Sequence, residues 1–198
     1  LDTPVPGATV REILDAARRT PSGGNLQSWW VYALAGEPLA GLKTAVRAQV
    51  MTNPRGDGSH EYDIYPPGLG EPYRTRRFKA GEDLYATIGI PREDKTARLL
   101  QLARNYDFFG APVGLFFYLD RSLGPPQWSD VGMYMQTVML LAREHGLIDR
   151  FAPRIRPFVL QKAAANAVLR RNGTQHVALI RLFRDEVDGA HRVAPLSD

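Results

Sequence analysis

The run Pro21-Ser22-Gly23-Gly24-Asn25-Leu26-Gln27-Ser28-Trp29-Trp30 gathers two hydroxyls, two glycines and two side-chain amides at one corner of the chain. Residues of these types bring backbone N–H groups and short polar side chains close to a planar, hydrogen-bonding ligand. That is the chemistry of recognition, and nothing elsewhere in the chain supplies acid–base or nucleophilic chemistry. Cysteine is absent, which removes disulfides, thiolate catalysis and Cys-ligated metals. The four histidines, His60, His145, His176 and His191, are scattered, with no i,i+4 pair and no metal spacing. Glu82-Asp83 and Glu93-Asp94 sit on charged helix starts, where the helix dipole accounts for them. There is no Walker A loop and no Gly-x-Ser-x-Gly elbow, since Thr20 stands two before Ser22. Gly68-Leu69-Gly70 opens like a dinucleotide fingerprint, but position 73 is Tyr and no strand precedes it.

The elements that must position the 21–30 run are legible on either side of it. Thr9 followed by Glu12 is a capping-box pattern, and Val10, Ile13, Leu14 and Ala17 follow helical spacing. A helix over 9–19 is therefore expected, stopping before Pro21. Trp29 to Leu34 reads as a strand, and Pro38 to Val50 as a second helix. The stretch 51–80 is rich in Pro, Gly, Asp and Arg and reads as a long surface excursion. Its aromatics, Tyr62, Tyr65, Tyr73 and Phe78, suggest a lid or substrate wall. Helix is expected over 81–105, interrupted near Pro91. Pro112 to Leu119 suits a strand buried on both faces. Asp130 to His145 is a helix apolar around most of its circumference, which places it in a central core or a subunit interface, with Gly146 as its stop. A further helix is expected over 157–171, a last strand over 176–183, and a tail over the final fifteen residues. The loose alternation favours an α/β or α+β sheet sandwiched by helices, in one domain over 1–198 with an inserted segment at 51–80.

The 198 residues are 44% hydrophobic and 23% charged, ordinary values for a globular protein. The net charge of +4 is mild and its arginines are spread along the chain. No nucleic-acid motif accompanies it, and a phosphate-bearing cofactor explains the excess equally well. No apolar stretch approaches the ~20 residues of a membrane span, and Leu1-Asp2-Thr3-Pro4-Val5-Pro6 does not read as a signal peptide. The expectation is a cytoplasmic protein with neither a membrane nor a nucleic-acid partner.

Three ordered segments carry a family resemblance. Ala16-Ala17-Arg18-Arg19-Thr20-Pro21-Ser22-Gly23-Gly24-Asn25-Leu26-Gln27-Ser28-Trp29 resembles the flavin-binding signature of the FMN-dependent nitroreductase family. Asn105-Tyr106-Asp107-Phe108-Phe109-Gly110-Ala111-Pro112-Val113 and Gln127-Trp128-Ser129-Asp130-Val131-Gly132-Met133-Tyr134-Met135-Gln136-Thr137 are similar to the same family. The excursion containing Tyr73-Arg74-Thr75-Arg76-Arg77 resembles a subgroup with an enlarged active-site insertion. The resemblance covers residues 3–147. It implies an α+β fold with a central antiparallel or mixed sheet flanked by helices, and a homodimer with one FMN in each of two clefts at the subunit interface. It further implies hydride transfer from NADPH or NADH through the flavin to a nitroaromatic or quinone-like small aromatic acceptor, in ping-pong fashion, with the cofactor carrying the redox chemistry. A flavin-dependent dehydrogenase or oxidase, or a flavin-binding protein without catalysis, are the alternatives.

Carried over by position, Ser22, Gly23, Asn25 and Gln27 are expected in the flavin loop, with Asn105 contacting the flavin from the other side. Tyr73, Phe108 and Phe109 are candidate substrate walls. Each has a plainer role open to it: Ser22 and Asn25 as turn formers, Gln27 as a strand-edge residue, Asn105 as a helix C-cap, and the aromatics, with Trp29 and Trp30, as packing. The chain departs from the family pattern in three places. The family's opening Arg-rich phosphate grip is not in this sequence, the segment 148–154 after Gly146 does not match, and Arg192 is the nearest candidate for the C-terminal phosphate contact.

Overall fold

A computed structural model describes residues 4–52, 63 and 65–147, and the strands 148–151, 174–183 and 191–193. The helix expected over 157–171 lies outside the described residues.

The first helix, α1 (Gly7–Ala17), buries Val10, Ile13, Leu14 and Ala17, the stripe its spacing specifies. It begins earlier than expected. Pro6 is its N-cap, the Val10 N–H donates to the Pro6 carbonyl at 3.2 Å, and no side chain caps it. Thr9 and Glu12 already lie inside the helix, so the capping box does not form.

Strand β1 (Trp30–Ala35) runs straight into α2 (Gly36–Thr52), and β2 (Val113–Asp120) pairs antiparallel with β1, Trp30 opposite Tyr118 and Ala35 opposite Val113. With β3 (Ile148–Phe151), β4 (Thr174–Phe183) and β5 (His191–Val193) they form a five-stranded sheet of order β3-β4-β2-β1-β5. Every pairing is antiparallel. The final fifteen residues are therefore not simply a tail: His191–Val193 adds an edge strand to β1, with Arg192 opposite Tyr32.

Side chains alternate across the sheet. Val31, Ala33 and Ala35 with Val113, Leu115, Phe117 and Leu119 face α1 and helix α5 (Pro125–Glu144). Leu34, Phe116 and Tyr118 face the other way, against Leu39, Leu42 and Val46 of α2 and against Phe108. Burial of β2 on both faces explains its unbroken apolar run.

Helix α5 starts at Pro125, one turn ahead of expectation, with the Gln127 side-chain oxygen accepting the Gly124 N–H at 3.2 Å. It ends as the sequence indicates. Gly146 takes φ 71°, its N–H donates to the Arg143 carbonyl, and the Leu147 N–H reaches the Ala142 carbonyl at 2.9 Å. Val131, Tyr134, Met135, Val138 and Ala142 are buried, whereas Met133 and Leu140 on the opposite face are 43% and 61% exposed.

The 51–80 excursion is shorter than expected at both ends. Helix α2 continues to Thr52, and α3 (Tyr73–Thr87) occupies the stretch read as loop. A carboxylate opens α3: Glu71 accepts the Thr75 N–H at 3.2 Å and the Arg74 Nε at 2.8 Å. The break near Pro91 is real and separates α3 from α4 (Lys95–Ala103). One residue clasps this hairpin. Arg98 makes a two-pronged ion pair with Glu82 at 2.7 and 3.0 Å, lies 4.2 Å from the Tyr85 ring centre, and donates to the Pro91 carbonyl at 3.2 Å.

Candidate functional site

Between α1 and β1 the chain makes a 3-10 turn over Gly23–Asn25. Gly24 has φ 59°, Asn25 φ 55° and Gln27 φ 44°. Left-handed backbone at a non-glycine costs of order 1–3 kcal/mol and persists only where surroundings enforce it. Local bonds do part of that work: the Asn25 N–H donates to the Ser22 carbonyl at 2.9 Å, and the Gln27 N–H to Ser22 Oγ at 3.0 Å. The Gln27 amide donates to Asn25 Oδ1 at 3.0 Å. Asn25 Nδ2 and Gln27 Oε1 are left without partners among the described residues, and the buried Ser28 Oγ likewise has none.

From outside the loop comes Asp130 of α5, 5% exposed, whose carboxylate oxygens accept the Gly23 N–H at 3.2 and 3.3 Å. One turn further along, Tyr134 stacks on Trp29 with ring centres 4.6 Å apart and planes 10° apart, and its hydroxyl donates to the Leu14 carbonyl at 3.3 Å. Burial raises the Tyr134 hydroxyl well above the usual tyrosine range, so it remains a donor. Trp29 is thus core, the plainer of its two expected roles.

A cavity of about 500 Å³ opens beside the turn, lined by Asp15, Arg18, Arg19, Thr20, Pro21, Asn25 and Gln27. Arg18 pairs with Asp15 at 3.1 Å. Arg19 is exposed and has no ion-pair partner among the described residues. These two arginines went unassigned in the sequence although they lie inside the motif; only the cavity singles them out. Asp130 was invisible for another reason, being 107 residues from the group it holds.

The second motif forms a turn over Arg104–Gly110, in which Phe108 and Phe109 take φ 57° and 52°. An ion pair from Arg47 of α2 to Asp107 holds it, and Lys43 Nζ donates to the Ala111 carbonyl at 3.3 Å. Burial lowers the Lys43 pKa. Phe108 is fully buried on Gly114, where a Cβ would meet its ring at 2.9 Å. The expectation of Phe108 as a substrate wall is therefore corrected: its ring has no surface to offer a ligand. Phe109 is half-buried, with Arg104 5.2 Å from its ring centre. Asn105 Nδ2 donates to the Leu102 carbonyl at 2.8 Å, closing the end of α4. Tyr73 is 60% exposed at the start of α3. A phosphate contact from the Arg192 side chain lies outside the described residues.

The two motifs do not converge in one chain. The 22–27 loop leads into the start of β1 and the 104–110 turn into the start of β2; because the strands are antiparallel, these starts lie at opposite ends of the pair. The six residues of β1 span roughly 20 Å at ~3.3 Å each. The motifs also back onto opposite faces, Trp29 on the α5 side and Phe108 on the α2 side. Among the described residues no helix is long and apolar enough to cross a membrane, and no His/Cys/Asp/Glu cluster has the makings of a metal site.

Comparison with known proteins agrees with this architecture. The chain is 39% identical to a 4-nitrobenzoate reductase of Pseudomonas putida over 147 residues, 74% of this chain and 63% of that protein. It is 40% identical over the same length to a 4-nitrobenzoate reductase of Nocardioides sp. (strain LMS-CY), 74% of this chain and 60% of that one. The chain thus spans less than two thirds of the length of these curated relatives. The crystal structure of the FMN and NADPH-dependent nitroreductase NfnB from sphigopyxis sp. strain HMH superposes with a TM-score of 0.84 at 39% identity, covering 93% of this chain and 82% of that one. A model of the Nitroreductase family matches residues 1–147, a span that contains all three motifs. The chain belongs to the Nitroreductase family.

Proposed function

We propose that this chain is an FMN-dependent oxidoreductase that uses NADPH or NADH to reduce nitroaromatic or quinone-like acceptors in two half-reactions sharing one site. The observation that carries the reading is the cavity beside the strained turn, where Asn25 and Gln27 meet Arg18 and Arg19. Its volume of about 500 Å³ falls within the roughly 300–1,000 Å³ of small-molecule pockets. The donor set suits a flavin mononucleotide. Asn25 Nδ2 and Gln27 Oε1 offer a donor and an acceptor to a flat heteroaromatic edge, and the unpartnered Ser28 Oγ lies next in the chain. Arg18 and Arg19 offer charge to a phosphate, a role for which the sequence pointed to Arg192.

Bound FMN would supply the two-electron chemistry. Ser22, Gly23, Asn25 and Gln27 bind and orient it from one side. Asn105 and Phe109 approach from the other side, and that side belongs to a second copy of the chain, because within one copy the two motifs stand at opposite ends of the sheet. The exposed face of α5 favours such a copy: Ser129, Gly132, Met133, Gln136 and Leu140 follow helical spacing without a charge. Tyr73 and the segment before α3 form the acceptor wall, as an insertion in one domain. The reading places the protein in the cytoplasm, where nicotinamide nucleotides are supplied.

The test is the visible absorption spectrum of the purified protein, recorded before and after incubation with FMN and removal of the excess. Oxidised-flavin bands that NADPH or NADH bleaches and a nitroaromatic restores are the expected result. Bands that nicotinamide leaves untouched point to flavin binding without catalysis. A protein that stays colourless overturns the reading.

A further inference from the structure

We infer that Asp130 is a positioning residue that sets cofactor affinity by clamping the Gly23–Asn25 turn to helix α5, an inference that rests on the flavin reading of the loop. Every other hydrogen bond described for residues 22–27 closes within the segment: Asn25 to Ser22, Leu26 to Gly23, Gln27 to Ser22 and Gln27 to Asn25. Among the described residues, the carboxylate of Asp130 alone hydrogen-bonds this turn to the body of the protein. The turn needs that tie, since it holds two non-glycine residues, Asn25 and Gln27, in left-handed backbone whose strain local bonds alone must otherwise restrain.

The placement of Asp130 is costly. It is buried, and the Gly23 N–H is its one hydrogen-bond partner among the described residues. A buried carboxylate facing a single neutral donor contributes little to net stability. It does make the bond charge-assisted, roughly twice the strength of a neutral one. The carboxylate lies close over the turn: a Cβ on Gly23 would stand 3.8 Å from Asp130 Oδ2, in ordinary contact. The side chains that Asp130 orders are those of Asn25 and Gln27, which it does not touch. Asparagine at 130 keeps an oxygen for the Gly23 N–H and adds an amide N–H₂ that must find a partner. Alanine removes the clamp altogether.

The test compares Asp130→Ala and Asp130→Asn with Val138→Ala, which truncates a fully buried side chain of the same helix away from the loop. Two quantities are read: hydrogen exchange of peptides covering residues 22–27, and the FMN dissociation constant from flavin fluorescence. Asp130→Ala is expected to speed exchange in 22–27 and weaken FMN at least tenfold. Asp130→Asn is expected to recover most of both, and Val138→Ala to lower the unfolding midpoint while changing neither. Unchanged exchange in Asp130→Ala overturns the clamp. Equal loss of FMN in Val138→Ala and Asp130→Ala reduces Asp130 to general stability and overturns it too. A wild-type protein that takes up no FMN overturns the flavin reading, and the exchange comparison then decides the clamp alone.

Discussion

Two consecutive phenylalanines in left-handed backbone are rare for residues so bulky, and Phe108 shows what enforces them. Its ring is seated on Gly114 of β2 and tilted against Phe116 at 5.9 Å between centres, with Lys43 5.8 Å from its own centre. Gly114→Ala puts a methyl into that seat and is expected to lower stability by about 1–3 kcal/mol, read from the midpoint of urea unfolding. An unchanged midpoint would show that the ring can move aside at no cost. The loop side chains call for a different readout. Asn25→Ala removes an exposed amide and places alanine at φ 55°, so it is expected to weaken FMN retention several-fold and to cost about 1 kcal/mol of stability. Residue types and the family resemblance together singled out Ser22, Asn25 and Gln27 in the sequence, and Asn25 and Gln27 line the cavity. The fate of Phe108 was not legible, since whether an aromatic lines a cleft or fills a core depends on a glycine six positions away on a strand.

Elements with an apolar period were read closely. Helix α1 and strands β1 and β2 lie within two residues of expectation, because each carries its buried face in its own spacing. Helix α3 was missed over residues 73–80 for a physical reason: none of its residues is buried, so there was no period to find. Charge pairs hold it instead, Arg74 with Glu71, Lys79 with Asp83 and Arg98 with Glu82. The Arg98 guanidinium keeps the Glu82 carboxyl below the usual glutamate range. The stability this pair gives the hairpin is present above the ordinary value of ~4.3 and is lost as pH falls through the depressed folded-state value. Protection factors across α3 and α4 are expected to fall as pH drops below the ordinary glutamate value of ~4.3. Glu82→Gln should show a smaller fall, and an equal fall in both proteins would remove this pair from the account.

For the whole molecule, the antiparallel pairing of β1 and β2 divides the family's motifs between opposite ends of the sheet. Two chains with complementary defects should then rescue each other. Mixed after unfolding and refolding together, Asn25→Ala and Asn105→Ala chains form some pairs in which one cleft receives an intact loop and an intact turn and the other receives neither. Activity well above that of either variant alone is expected, and no gain would mean that each chain builds its clefts unaided. Leu140→Arg on the exposed face of α5 is expected to halve the mass seen by light scattering. Such an arrangement couples loading to encounter. If a cleft exists only where two copies meet, FMN binds the pair and not the single chain, and by mass action flavin draws copies together. Dilution then works in reverse: a stock that is yellow when concentrated bleeds free flavin as it is thinned, and the loss tracks protein concentration, not time on the bench.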